Sequence, residues 1–202
     1  MGELLIIAGL MTGMFTAWLY WGQSPLPSSA QVRVNQQIRQ AWQHKGIPVP
    51  GGAIALVRIP VLGKTWQYPL YEGVSLRVLG KGLGHYRGTA GPGQPGNFAW
   101  AGHRSSMTGF EPLADLPGAI GRGDRIIVDT ASAEYVYTVA ATKYTTPDDT
   151  TVLHPDQGRH ANPKPGLITV TTCTPRYGSS GRFIVFGSLT KTTSTTSQGA
   201  TK

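Results

Sequence analysis

Glycine and proline cut most of this chain into segments too short for helices of ordinary length. Of 202 residues, 27 are glycine and 15 proline, while only 14% are charged. That composition favours short strands joined by many turns over a helical bundle. Strands are predicted at Ala53 to Ile59, closed by Pro60, and at Trp66 to Tyr71, where Pro69 suggests an edge. Others follow at Asn97 to Gly102, Arg125 to Asp129 and Glu134 to Tyr144, where Tyr135, Tyr137 and Val139 alternate with Val136, Thr138 and Ala140. Gly73 to Leu79 and Phe110 to Leu116 read as brief helices, and Gly80 to Gly96 is too interrupted for either regular element. Thr145 to Asn162 carries loop chemistry around one apolar patch, Val152-Leu153. The fold expected for 51–189 is mostly β: a closed or nearly closed barrel of roughly eight short strands.

The N-terminal part differs. From Leu4 to Val32 nothing is charged, and Leu4 to Trp21 is mostly apolar, ending in Trp18-Leu-Tyr-Trp21. Its length is near the minimum for a spanning helix, and aromatic residues suit a membrane interface. Residues 1–22 are therefore read as an uncleaved transmembrane anchor. The rival is a cleavable signal peptide ending near Ser28-Ser-Ala30, but the apolar run is longer than the usual signal core and no basic residue precedes it. The missing basic flank predicts a longer cytoplasmic segment upstream of Met1. Within 23–50, Pro25, Pro27 and neighbouring serines mark a linker; Val34, Ile38, Ala41 and Trp42 then recur at helical spacing from about Gln31 to His44. At the other end, Ser188 to Lys202 is rich in Ser and Thr, and the stretch 190–202 is expected to be a disordered tail.

A net charge of +8 raises the question of nucleic acid, but the Lys and Arg residues are scattered and form no basic run. No nucleic-acid partner is expected; an anionic cell envelope suits the charge better. The glycine-rich stretch lacks the Gly-Lys-Ser/Thr ending of a phosphate-cradling loop. One cysteine and dispersed histidines give no recognised ligand spacing, so neither a metal nor a cofactor is expected.

Cys173, the single cysteine, ends the β-branched run Gly166-Leu-Ile-Thr-Val-Thr-Thr-Cys173 and precedes Thr174-Pro175. It cannot form a disulfide within the chain. A lone cysteine is most often a small buried hydrophobe, yet a strand end beside a polar loop is where reactive groups sit on a rigid scaffold. The run Arg182-Phe-Ile-Val-Phe186 follows Gly178-Ser-Ser-Gly181, so the two strands pair most simply as an antiparallel hairpin with Cys173 and Arg182 flanking one loop. A thiol wants a base or positive charge nearby. His44, His154 and His160 read as solvated, and His85 falls in the glycine-rich stretch, whereas His103 closes a strand as Cys173 does. A structural histidine and a surface arginine are the plainer readings of His103 and Arg182. Together, Cys-His-Arg can perform acyl transfer, with thiolate attack, proton delivery to a leaving amine and guanidinium support of an oxyanion.

The stretches Gly96-Asn-Phe-Ala-Trp-Ala-Gly-His-Arg104, Ile168-Thr-Val-Thr-Thr-Cys-Thr-Pro175 and Arg182-Phe-Ile-Val-Phe186 resemble the sortases, cell-wall cysteine transpeptidases of Gram-positive bacteria. Gly84-His-Tyr86 followed by Gly91-Pro-Gly-Gln-Pro-Gly-Asn97 is most similar to class E of actinobacteria. The resemblance implies an eight-stranded sortase-type barrel with short helices, tethered to the cell membrane by one pass with the catalytic domain outside. It implies Cys173 as nucleophile, His103 as general acid and base, Arg182 as oxyanion-supporting cation, and Thr172 in the oxyanion region. It implies cleavage of a sorting signal of secreted proteins between Thr and Gly, a thioacyl enzyme, and transfer to a peptidoglycan precursor amine. Class E prefers Leu-Ala-x-Thr-Gly over Leu-Pro-x-Thr-Gly, and Tyr86 matches the aromatic residue associated with that preference. Trp100 departs from the smaller aliphatic residue expected before Ala101-Gly102-His103, and altered packing near the site is expected from it. Calcium activation finds no acidic cluster. The alternatives are a pilus-polymerising sortase and a non-catalytic barrel that binds envelope peptides.

Overall fold

The computed structural model describes residues 2–21, 29–44 and 47–195. Contacts divide the chain into two units, 1–32 and 33–202. In the first, helix α1 (Gly2–Trp21) is apolar around its circumference, and Ile6, Ile7, Leu10, Met11, Met14 and Phe15 are all exposed. Among the described residues, no helix is long and apolar enough to cross a membrane. Of the linker predicted at Gln23 to Ala30, residues 23–28 lie outside the described residues, and Ser29 and Ala30 are already helical.

The second unit is a closed barrel. Its strands are β1 (Ala55–Arg58), β2 (Gln67–Glu72), β3 (Leu83–His85), β4 (Asn97–Ala101), β5 (Arg125–Asp129), β6 (Ala133–Thr145), β7 (Leu167–Thr174) and β8 (Gly181–Ser194), in the order β1-β2-β3-β4-β7-β8-β6-β5. Helix α2 (Ser29–Gln43) has the periodicity read from its sequence: Ile38 packs with Ala53, Leu56 and Tyr71 on the outside of β1 and β2, and Asn35 donates to Gln67 O (2.9 Å). Side chains alternate along each strand, and the inward set of Val57, Leu70, Phe98, Trp100, Ile126, Tyr137, Ile168, Val170, Phe183 and Val185 forms one continuous core.

Four expectations change. β2 is no edge strand: it pairs with β1 through Pro69 and with β3 from Leu70 onward, so the proline sits just before the second ladder begins. The glycine-rich stretch holds a strand after all, because β3 is flanked by β2 and β4, and Gly84 approaches Gly73 O so closely that a Cβ would lie 2.4 Å from it. The brief helix expected at Phe110 to Leu116 forms instead as α4 (Leu116–Ala119), with Pro117 in its first turn, after a short α3 (Leu76–Leu79) where one was predicted. Finally, β8 runs on through Ser194, paired to β6 as far as Ala133, so 190–194 is not a disordered tail. Thr-rich sequence is well suited to a strand when a partner is offered; 196–202 lies outside the described residues.

Candidate active site

Two strand pairings bring the sequence candidates together. β7 and β8 form the antiparallel hairpin expected, and Cys173 lies directly opposite Arg182. β4 runs parallel to β7 with Ala101 beside Thr171, and Gly102 N still donates to Thr171 O (3.3 Å). His103 follows just past this last bond, at the end of the strand that runs beside the one carrying Cys173. All three residues emerge at one rim.

The alternation that sends Phe98, Trp100, Ile168, Val170, Phe183 and Val185 inward sends Ala99, Ala101, Thr169, Thr171, Cys173, Arg182 and Ile184 to the outer face. Trp100 is thus fully buried in the core, with its indole Nε1 unpartnered, and leaves the outer face to alanines on either side. Its bulk is taken up inside the barrel and not on the face that carries Cys173. The segment after β6 covers this outer face: Val152 packs on Ile184 and Phe186, Asn97 Nδ2 donates to Val152 O and His154 O (both 3.0 Å), and Gln157 Nε2 donates to Ile168 O (2.8 Å). Between cover and sheet is a cavity of about 160 Å³ lined by Tyr86, Asp149, Leu153, Thr171 and Arg182 among others. Tyr86 closes one side, its hydroxyl 2.8 Å from Thr171 Oγ1.

The turn carrying His103 is held from both sides. Gly102 packs against Leu83 and Leu113, where a Cβ would come within 2.8 Å of a terminal methyl of each, so a larger residue there has to displace both leucines. Thr172 does not face the groove; its buried hydroxyl donates to Gly102 O (2.8 Å) and so ties β7 to the residue before His103. Leu113 N donates to His103 O (2.9 Å), and Arg104 Nη1 donates to Thr174 Oγ1 (3.0 Å). Burial lowers the His103 pKa below its ordinary 6.5, partly offset by the charge of Glu111. Among the described residues neither the His103 ring nor the Cys173 thiol, both half-buried, has a hydrogen-bond partner, so both are open to a bound substrate. Arg182 donates through Nη1 to Ser179 O (3.1 Å) and Gly181 O (2.9 Å), neutral acceptors that fix the guanidinium without cancelling its charge.

Sequence reasoning missed Glu111 and Asp149. Glu111 accepts from Ser106 N (3.1 Å) and Arg176 (3.1 Å) while acting on His103. Asp149 accepts from Lys143 (2.8 Å), Thr145 (2.7 Å) and Thr151, anchoring the cover to the end of β6. Acidic residues number only ten in this chain, and one placed shortly after a candidate histidine was a usable signal.

A thiol, an imidazole and an arginine emerging at one rim, with the arginine lining the adjoining cavity, can support acyl transfer. The sortase-domain family profile matches residues 57–190. The chain belongs to the sortase family. Sortases are cysteine transpeptidases, and the relatives lie near class E. Sortase SrtE1 of Streptomyces coelicolor is 32% identical over 201 residues, covering 93% of this chain and 56% of that protein. The chain thus spans little more than half the length of that relative. Sortase E of Streptomyces avermitilis superposes with a TM-score of 0.64 at 35% identity, over 74% of this sortase and 95% of the other. A sortase E1 of Streptomyces coelicolor, solved with a tripeptide in its active site, gives 0.65 at 33% identity over 75% and 96%.

Proposed function

We propose that this sortase cleaves a Leu-Ala-x-Thr-Gly or Leu-Pro-x-Thr-Gly sorting signal between Thr and Gly and transfers the new carboxyl end to a peptidoglycan precursor amine. The observation that carries the reading is the register of Cys173 opposite Arg182, with His103 just past the end of β4, the parallel neighbour of β7. The Cys173 thiolate adds to the threonine carbonyl, and the resulting oxyanion draws on the Arg182 guanidinium. His103 as imidazolium gives its proton to the departing glycine nitrogen as the C–N bond breaks, leaving a thioacyl enzyme. The acceptor amine then attacks that carbonyl, neutral His103 takes up its proton, and as the C–S bond breaks Cys173 leaves as the thiolate, restoring the starting ion pair.

The signal's leucine fits the apolar part of the cavity, formed by Val152, Leu153 and Ile184. Tyr86 borders the same cavity and is the residue suited to read the position after it: an amide N–H is present with alanine and absent with proline, and an amide left unpaired on burial costs about 1–3 kcal/mol. Thr172 supports the oxyanion region indirectly, by holding the Gly102 turn. The protein sits in the cell membrane through α1, its barrel outside; the uncharged run from Leu4 and the exposed apolar residues around the helix support an anchor.

The test is mass spectrometry of the protein after incubation with Leu-Ala-x-Thr-Gly and Leu-Pro-x-Thr-Gly peptides. A thioacyl adduct on Cys173, released by an added amine and absent in Cys173→Ala, is expected. A wild type that binds the peptides without cleaving them points instead to a peptide-binding barrel.

A further inference from the structure

Tyr86 belongs to a stretch that glycine should leave poorly fixed, since Gly80, Gly82, Gly84, Gly88 and Gly91 surround it. The residue before it is the most tightly held side chain of that stretch. His85 is 6% exposed. Its Nδ1 lies 2.9 Å from Glu72 Oε2, at the end of β2. Its Nε2 lies 3.0 Å from Ala90 O and 3.0 Å from Thr89 Oγ1, and that hydroxyl donates to Tyr86 O (2.7 Å). The ring also stacks at a tilt against Phe98 of β4, centroids 5.3 Å apart. One imidazole thus joins β2, β4 and both ends of the 86–90 turn. The proposed catalytic steps use none of these contacts.

The surroundings of Tyr86 show why such a clamp matters. Tyr86 borders two spaces: the groove of about 160 Å³, and a cleft of about 480 Å³ lined also by Glu72, Val74, Ser75, Val78 and Arg87. Among the described residues, Tyr86 is held by its N–H to Ala99 O (2.9 Å), by the contact to Thr171 and by the bonds of the turn, with Thr89 N donating to Tyr86 O (3.2 Å) and Ala90 N to Asn97 O (3.0 Å) beside the His85 contacts.

We infer that His85 is a positioning residue: it clamps the 86–90 turn so that the Tyr86 hydroxyl is held against Thr171, two residues before Cys173, and not in the larger cleft. As it bears on peptide choice, the inference rests on the reading of Tyr86 given above; as it bears on the place of the ring, it does not. The test uses His85→Phe, which keeps a ring against Phe98 but loses all three polar contacts, and Glu72→Gln at a half-exposed position, which serves if the first variant fails to fold. Two measurements are made on the full chain: the Tyr86 ring signal by NMR with labelled tyrosine, assigned through Tyr86→Phe, and kcat/KM for the alanine and proline peptides. The ring signal is expected to shift or broaden in the variants. The alanine-to-proline ratio is expected to fall by about threefold to tenfold, the worth of one neutral hydrogen bond, and His85→Phe/Tyr86→Phe should fall no further than Tyr86→Phe alone. An unchanged Tyr86 signal overturns the clamp. So does a loss shared equally by both peptides where Tyr86→Phe does alter the ratio, since that is what a merely structural histidine gives. If Tyr86→Phe leaves the ratio unchanged, the reading of Tyr86 fails, and the ring signal alone decides the clamp.

Discussion

The barrel carries arginine at both of its rims, and the two rims use it differently. At the end of β6 near Ala133, Arg58 donates through Nε and Nη2 to Asp129 (3.0 and 2.8 Å) and through Nη2 to Glu134 (2.7 Å), while Arg39 of α2 reaches Asp129 at 2.9 Å. These guanidinium groups are spoken for; Asp129 foremost, and then Glu134, raise the Arg58 pKa against the opposing effect of burial. At the other end of β6, Thr145 pairs with Arg182, whose hydrogen bonds among the described residues go to backbone carbonyls. The carboxylate that shares its cavity, Asp149, is occupied by Lys143 and two threonines. A far rim of α2, β1, β5 and β6 is thus neutralised within itself, while the rim of Cys173 keeps a positive charge in reserve. Such a charge stabilises an anion that exists only during reaction.

The comparison breaks most visibly with Arg182→Ala. Peptide cleavage should fall by about 10²–10³ in kcat/KM, with a thermal midpoint close to that of the wild type because no ion pair is lost. A lowered midpoint with intact kinetics would make Arg182 a structural residue like Arg58. The converse substitution, Arg58→Met, leaves the largely buried Asp129 with Arg39 alone. A loss of about 2 kcal/mol is expected, read as a fall of roughly 4–8 °C in thermal midpoint for a domain of this size, with kcat/KM of the folded protein within about twofold. A far rim tolerant of that change would show the network to be surface decoration.

A smaller effect belongs to Asp149. Lys143, Thr151 and Thr145 hold its carboxyl well below the usual range, so the charged form is favoured in the folded state. Its contribution to stability is full above the unfolded value of about 3.9 and is lost as pH falls below it. The difference in thermal midpoint between wild type and Asp149→Asn should therefore be present at pH 6 and shrink as the solution is acidified through about pH 4. Because the segment it anchors covers the groove, KM should rise by about threefold. A midpoint difference that grows on acidification would reverse the assignment.

What the residues disclosed in advance follows the same division. The hairpin of Cys173 and Arg182 was legible because a β-branched run, a Gly-Ser-Ser-Gly turn and a second apolar run lie together in sequence. His103 was legible by its likeness of position, at the end of a strand. The far rim was not, since Arg39, Arg58 and Asp129 are brought together only by barrel closure and the docking of α2. β3 escaped because three residues between glycines have no period to read; its strand character comes from β2 and β4 on either side. The inward turn of Trp100 and Thr172 is a matter of strand parity: Cys173 outward requires Thr172 inward, and Trp100 lies across from Val170 on the same inward side. That parity was available from the sequence once Cys173 was taken as facing the groove.

The finest test of the reserve of charge concerns the imidazole. His103 has to be cationic when it protonates the leaving nitrogen, yet burial favours its neutral form and Glu111 opposes burial. A lower pKa makes the imidazolium a better donor but a scarcer one. The acidic limb of kcat/KM that belongs to His103 is expected to have its midpoint below 6.5. In Glu111→Gln the amide oxygen can still accept from Ser106 N, but the charge that raises the His103 pKa is gone, so the limb should move further down. The sign in the folded protein agrees: a histidine whose folded pKa is lowered destabilises the fold as pH drops through the unfolded value of about 6.5, and removing Glu111 enlarges that loss. A limb that moved upward in Glu111→Gln would mean that Arg176, released from its partner, withdraws positive charge from His103, and the rim would then hold its cations by a balance between Glu111 and Arg176, not by leaving Arg182 unpaired.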